Sequence, residues 1–379
     1  MGLTVALCLA TWGPAFAAYI QTNLVSNATG PAPVVDPNLV NPWGLASGPG
    51  TPLWVADNEF SVATLYSGTG VVQTLVVSLP FGSPTGVTSN PTGEFLLVPG
   101  ANNTSALFMF STEAGTIDGW NPGVNLTAAS VAVNHAGAVY TGLTLGVRGA
   151  QTNTLYAANF RAATIEAFDS AFSPVSLPGA FTDPNLPRGF APYNIQNIGG
   201  ILYVTYARQD AAQLKALPGA EAGFIDKYTT DGALIGRLVS RGVLNAPWGI
   251  ALAPAGFGEF ANDLLVGNFG DGTINAFDPD TGALLGTLED ANGVAIINAG
   301  LRGLIVGNGA NGQDPNALFF TADLTDTAGA AGVDITDTAG AAGGLFGELT
   351  AAASVPEPAS FALIGIGLAG LGLRRRMLL

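Results

Sequence analysis

The sequence predicts an all-β fold: a six-bladed β-propeller framed by an N-terminal signal peptide and a C-terminal short apolar helix. Three observations carry that expectation. A short Pro-x-Gly-apolar pattern recurs along the chain, a compact apolar run follows each copy, and Asp-Gly or Asp-x-Thr-Gly turns separate later runs. Composition agrees, with 48% hydrophobic residues, only 10% charged residues and 52 glycines. That mix suits many short buried strands joined by tight turns, because Gly supplies the positive φ such turns need. Long surface helices would carry more Glu, Lys and Arg on an exposed face.

The pattern reads Pro42-Trp43-Gly44-Leu45, Pro84-Thr85-Gly86-Val87, Pro192-Tyr193-Asn194-Ile195 and Pro247-Trp248-Gly249-Ile250. Leu301-Arg302-Gly303-Leu304 is a weaker copy, and a degenerate one is expected near Ser130-Val131-Ala132-Val133. Second apolar segments follow at 53–58, 95–98, 155–159, 202–206, 264–268 and 318–321. Third segments at 224–228 and 273–277 run into Thr229-Thr230-Asp231-Gly232 and Asp278-Pro279-Asp280-Thr281-Gly282, which are hairpin signals between apolar runs. With Glu289, the second of these turns partly mimics an EF-hand loop, but its glycine is one place early and no helices flank it.

Each unit therefore reads as four strands in a meander, with repeat starts roughly 42 to 62 residues apart. One four-stranded sheet cannot bury both of its faces, whereas six packed around an axis do. The first strand of each blade is expected to line the central channel. That places Trp43, Thr85, Tyr193, Trp248 and Arg302 at one mouth or in the channel wall. An early strand at 19–25 completes the last blade and closes the ring. The propeller then spans 18–349. Within it, 323–344 is a small, polar stretch in which TDTAGAAG occurs at 325–332 and again at 336–343, an insertion in the last blade. Residues 350–354 form a linker.

The two ends carry targeting information. Residues 3–9 are apolar and Ala15-Phe16-Ala17 is a small-x-small cleavage site, so 1–17 reads as a signal peptide. The one cysteine, Cys8, lies inside it. A mature chain cut after Ala17 has no thiol, which excludes cysteine nucleophiles, disulfides and cysteine-ligated metals. At the other end, Val355-Pro356-Glu357-Pro358-Ala359-Ser360 precedes an apolar run at 361–373, and Arg374, Arg375 and Arg376 close it. The run is short for a spanning helix, which needs about 20 residues, and the arginines hold its end on the cytoplasmic side. This layout resembles the PEP-CTERM sorting signal, with Pro356-Glu357-Pro358 as its defining tripeptide. The resemblance implies an exosortase-type membrane protease as partner and transient membrane association through 355–379. It also implies a mature protein in the cell envelope or outside the cell. Gly365-Ile366-Gly367-Leu368-Ala369-Gly370 has dinucleotide-fingerprint spacing without the βαβ unit or the later acidic residue, and small residues in a membrane segment explain it better.

Charge narrows the partners. The formal net charge is −15, and three of the twelve Lys and Arg residues are the terminal arginines. Such a surface repels phosphate backbones, so nucleic acid is excluded as a partner. His135 is the single histidine, in the turn Val133-Asn134-His135-Ala136-Gly137, and reads as a solvated turn residue. No G-x-S-x-G elbow supports a triad.

Several stretches together, YIQTNLVSN from Tyr19, NPWGLA from Asn41, PYNIQNIGGILYVTYARQD from Pro192 and GLFGEL from Gly344, resemble an exported bacterial propeller family. That family often carries PEP-CTERM tags and has no established activity. The likeness covers nearly the whole mature body and implies NHL- or lactonase-like four-stranded blades. The chain departs from the family at Arg302, where an aromatic residue like Trp43 or Trp248 is expected, and in the duplicated insertion.

Two constellations are candidates. Asn58, Asn159 and Asn268 end the second strands of their blades and Asn194 lies on a first strand; convergent amide oxygens at a mouth would suit Ca²⁺. The plainer reading has these side chains capping turns. Trp43, Tyr193 and Trp248, with Arg302, would offer a sugar-stacking platform, or else pack blade against blade. Three functions stay open, in this order. The first is a non-catalytic binding or scaffold protein for extracellular polysaccharide or matrix protein. The second is a purely structural surface protein. The third is a Ca²⁺-dependent, lactonase-like hydrolase. No other cofactor is indicated.

Overall fold

Second strands hold the key to the packing. Along Thr152–Asn159, Leu155 and Ala157 enter one core cluster while Tyr156 and Ala158 enter another, all fully buried. Along Leu318–Ala322, Leu318 and Phe320 face one way and Phe319 the other. Successive side chains on a strand point to opposite faces. A strand buried on both faces therefore reads as a continuous apolar run, and here the sheet is held between two other sheets.

A computed structural model describes residues 18–101, 103–149, 151–324 and 343–352, and these form six four- or five-stranded sheets. Blade 1 is Pro42–Ala46, Leu53–Asp57, Val62–Tyr66 and Val77–Ser78. Blade 2 is Pro84–Ser89, Phe108–Thr112, Thr116–Trp120 and Ser130–Asn134, and blade 3 is Tyr140–Arg148, Thr152–Asn159, Thr164–Phe168 and Pro174–Val175. Blade 4 is Phe190–Ile198, Ile201–Gln209, Gly223–Tyr228 and Leu234–Ser240, with Ala216–Leu217 paired to its second strand. Blade 5 is Pro247–Leu252, Leu264–Asn268, Ile274–Phe277 and Leu284–Thr287. Blade 6 combines Leu304–Val306, Leu318–Ala322 and Leu345–Ala351 with the N-terminal strand Tyr19–Ser26 and its parallel partner Val34–Val35.

The N-terminal strand closes the ring, as the sequence indicated. Tyr19 pairs with Ala351 and Ser26 with Leu345, and Ala352 N–H donates to Ala18 C=O at 2.8 Å. The stretch 18–352 is thus a self-closed unit whose two ends meet at one edge. One core cluster fills each gap between neighbouring blades. Between blades 1 and 2, Trp54 stacks on Phe108 with centroids 4.3 Å apart and meets Trp120 at 4.7 Å.

The recurring glycine has a physical reason. A Cβ on Gly44 would stand 2.6 Å from Thr85 O, one on Gly249 2.3 Å from Arg302 O, and one on Gly303 2.6 Å from Trp43 O. Each lets the inner strand of the next blade approach. Blade 4 has Asn194 there instead, and its Nδ2 donates to Trp248 O at 2.9 Å, tying blade 4 to blade 5. Just before these positions, the register of the inner strand shifts in blades 1 to 5. Bulges of this kind re-aim a side chain, here Trp43, Thr85, Thr141, Tyr193 and Trp248.

Three expectations need correction. Ser130–Asn134 is the outer strand of blade 2, not a degenerate inner strand. The inner strand of blade 3 is Tyr140–Arg148, whose Tyr140-Thr141-Gly142-Leu143 repeats the pattern with Tyr in place of Pro. The second strand of blade 2 is Phe108–Thr112, while 95–98 lies in the preceding loop with Phe95 buried at a φ of 61°. Leu345–Ala351 also runs two residues into the stretch assigned to the linker. The Asp278 turn is a hairpin between Ile274–Phe277 and Leu284–Thr287, in which Asp278 Oδ1 accepts from Thr281 N–H at 2.7 Å and from Asp280 N–H at 3.0 Å. The expected signal peptide, the core of the expected insertion and the expected C-terminal helix lie outside the described residues.

Candidate functional site

The inner-strand residues meet on the axis and close it. Trp43, from blade 1, packs edge-on against Tyr193 of blade 4 and Trp248 of blade 5, each at 6.1 Å between centroids. Contact between blades that are not neighbours is possible only at the centre of the ring. Phe160 and Phe269 complete the cluster at 5.3 and 6.2 Å from Tyr193. Arg302 lies over the Trp43 ring at 3.7 Å and the Phe269 ring at 4.3 Å, a cation–π sandwich. Its Nη1 donates to Asn41 Oδ1 at 3.3 Å and faces Asp323 Oδ2 at 3.8 Å.

Trp43, Tyr193, Trp248 and Arg302 are thus brought together as the sequence suggested, but each is no more than 4% exposed. Their faces are spent on one another. The indole N–H groups are occupied as well, Trp43 Nε1 on Asn41 Oδ1 at 3.1 Å and Trp248 Nε1 on Thr141 O at 2.9 Å. Below the plug, the axis holds a cavity of about 20 Å³ lined by residues such as Leu45, Val87, Ile250 and Leu304, room for about one water. Sequence reasoning missed Phe160, Phe269, Asn41 and Asp323. The Asn-Phe pairs Asn159-Phe160 and Asn268-Phe269, at the ends of equivalent strands, were the available signal.

The asparagines bond within their own surroundings. Asn58 Oδ1 accepts from Asn41 Nδ2 at 3.1 Å, and its Nδ2 donates to Pro84 O and Glu113 Oε2, both at 3.1 Å. Asn159 Oδ1 accepts from Ala162 N–H at 3.1 Å and Val139 N–H at 3.3 Å. Asn268 Oδ1 accepts from Asn245 N–H at 3.0 Å, and Asn194 Oδ1 from Ile195 N–H at 2.8 Å. Every amide oxygen of the set takes a protein donor, and no two share a partner in a common shell. Among the described residues, no cluster of three or more His, Cys, Asp or Glu side chains could hold a metal ion.

An open site lies elsewhere, at the outer edge of blade 3, reaching from the end of blade 2 to the loop that leads into blade 4. A cavity of about 600 Å³ is bounded by 133–135, 164–168, 174–177 and 180–181, within the size range of small-molecule sites. His135 stands at its rim. His135 Nδ1 is 3.1 Å from Glu166 Oε2, Tyr140 Oη donates to the same oxygen at 2.6 Å, and Asn159 Nδ2 donates to Glu166 Oε1 at 2.6 Å. Burial first, and then the bond to Glu166, push the Tyr140 hydroxyl pKa well up, so its proton stays in place. The histidine read as a free turn residue is therefore held in a network spanning two blades.

Comparison with known proteins agrees with this architecture. Residues 354–376 match the PEP-CTERM protein-sorting motif. An uncharacterized protein of Acanthamoeba polyphaga mimivirus is 37% identical over 317 residues, covering 80% of this chain and 76% of its own. A second from the same virus is 34% identical, covering 77% and 80%. The chain belongs to the family of these proteins. Among solved structures, a streptogramin B lyase aligns with a TM-score of 0.50 at 12% identity, over 88% of this chain and 97% of its own. That likeness shows the shared fold alone. With the six sheets described above, this family member is a six-bladed propeller whose sorting motif implies export, a membrane-anchored precursor at the cell envelope and processing by an exosortase-type protein.

Proposed function

We propose that the mature propeller is a non-catalytic binding or scaffold protein of the cell envelope or biofilm matrix, and that it works through its outer surfaces. The observation that carries this reading is the plug on the axis. Propeller enzymes of the lactonase type would use the channel mouth, and here Trp43, Tyr193, Trp248 and Arg302 fill it with each other. The sorting motif supports an extracellular place of action. Co-sedimentation of 18–352 with isolated matrix polysaccharide and with matrix protein tests the reading. Saturable binding to either supports it. Binding to neither contradicts it and leaves a purely structural role.

The Ca²⁺-dependent hydrolase reading rests on Asn58, Asn159, Asn194 and Asn268. It requires their oxygens to exchange protein donors for a metal. A ligand that binds only the native state raises Tm by mass action. On the binding reading, micromolar Ca²⁺ or chelator leaves the Tm of 18–352 unchanged; a rise with Ca²⁺ that chelator reverses would favour the hydrolase.

A further inference from the structure

We infer that the groove along the outer edge of blade 3 is a binding site for a neutral amphipathic small molecule, an apolar body carrying one O–H donor that bonds to the His135 imidazole. The inference rests on the reading of the propeller as a binding protein, and names a site for it.

The walls set the body of the ligand. Val133, Ile165, Pro174, Val175, Leu177 and Phe181 line the cavity. Val133 is partly buried against the cluster of blades 2 and 3, and Ile165, Val175, Leu177 and Phe181 against that of blades 3 and 4, so the cavity wraps the outer edge of blade 3. The polar end sets its head. Glu166 accepts at Oε2 from Tyr140 and at Oε1 from Asn159. A carboxylate has no proton to give. The 3.1 Å contact between His135 Nδ1 and Glu166 Oε2 therefore places the imidazole proton on Nδ1. A neutral ring protonated at Nδ1 leaves Nε2 as an acceptor, fixed in tautomer by its carboxylate partner. His135 remains 55% exposed at the groove rim. An acceptor beside an apolar cavity calls for a ligand donor. An anionic head would meet the Glu166 charge on a protein with a formal net charge of −15.

His135 is the single histidine of the chain, so its ring proton resonances report the site without assignment. The test is a titration of 18–352, a self-closed ring, prepared without a histidine tag and followed by histidine NMR. The probes are 4-butylphenol, butylbenzene and 4-butylbenzoate. The expected result is a saturable His135 shift with 4-butylphenol and about ten-fold weaker binding of the other two, as for one lost hydrogen bond. His135→Phe should weaken 4-butylphenol binding by a similar factor, followed by isothermal calorimetry. Ile165→Asp should abolish the NMR response while the cooperative melt persists. Equal binding of phenol and hydrocarbon, stronger binding of the benzoate, or a shift that grows linearly without saturation would overturn the assignment. Polymer co-sedimentation is a separate readout, so failure of this site and failure of the matrix role are distinguishable.

Discussion

The axial plug and the side groove are built from the same kinds of residue and come out opposite. Each has a basic side chain beside a carboxylate and aromatic neighbours. At the axis, the Arg302 and Asp323 side chains are 4% and 11% exposed; at the groove, those of His135 and Glu166 are 55% and 23% exposed. The difference is position along the blade. Six inner strands converge on one line, and glycines press them closer still, so the plug side chains find one another. Outer strands diverge as the blades fan out, and the short pair Pro174–Val175 leaves space beside it. Residue type alone does not mark a site in such a ring; radius does.

The largest test of this contrast exchanges glycines at the two radii. Gly249→Ala should prevent cooperative folding or cost more than about 4 kcal/mol, because its Cβ would lie 2.3 Å from a backbone carbonyl. Gly236→Ala, on the outer strand of blade 4 with nothing within 4 Å, should change stability by less than about 1 kcal/mol. Urea unfolding checks both, and similar costs would break the comparison.

Next in size is Trp43→Ala, expected to cost about 3–5 kcal/mol by opening a cavity in the plug. If the protein still folds, His135 resonances should not move, because the plug and the groove share no side chain.

A buried carboxyl on a middle strand sharpens the account through pH. Asp118 is fully buried and its pKa is pushed up to about 6 by burial. Its unfolded value is the ordinary 3.8. Between these values the native state binds more protons than the unfolded one, so stability falls as pH rises from 4 to 6. Asp118→Asn should remove that fall, by up to about 3 kcal/mol, as read from urea midpoints at pH 4, 5, 6 and 7.

The smallest effect belongs to the groove. His135→Gln should shift stability by less than about 1 kcal/mol, since the histidine is half-exposed. A large loss in thermal unfolding would make His135 a structural strut between blades.

What the sequence made legible follows from the same geometry. Second strands stood out because both faces are buried, so Leu155-Tyr156-Ala157-Ala158 reads as an unbroken apolar run. The inner-strand glycine stood out because close approach demands it in every blade but the fourth, which has Asn194. Blade 3 was misplaced because Tyr140 replaces the leading Pro, and 95–98 drew attention because Phe95 is buried from a loop. The aromatic residues and Arg302 come together on the axis, and pattern alone could not say whether they face solvent or each other. The His135–Glu166 contact joins residues 31 positions apart on neighbouring blades, and no local spacing announces it.

The most direct test of a sealed axis is acrylamide quenching of tryptophan fluorescence in 18–352. Trp54→Phe and Trp120→Phe together leave Trp43 and Trp248, the two plug indoles, as its only tryptophans. At 3% and 4% exposure, they should be quenched as weakly as deep-core indoles, and added matrix oligosaccharide should change neither intensity nor emission maximum. Efficient quenching, or a saturable spectral shift with the sugar, would contradict a closed mouth and return the site to the channel.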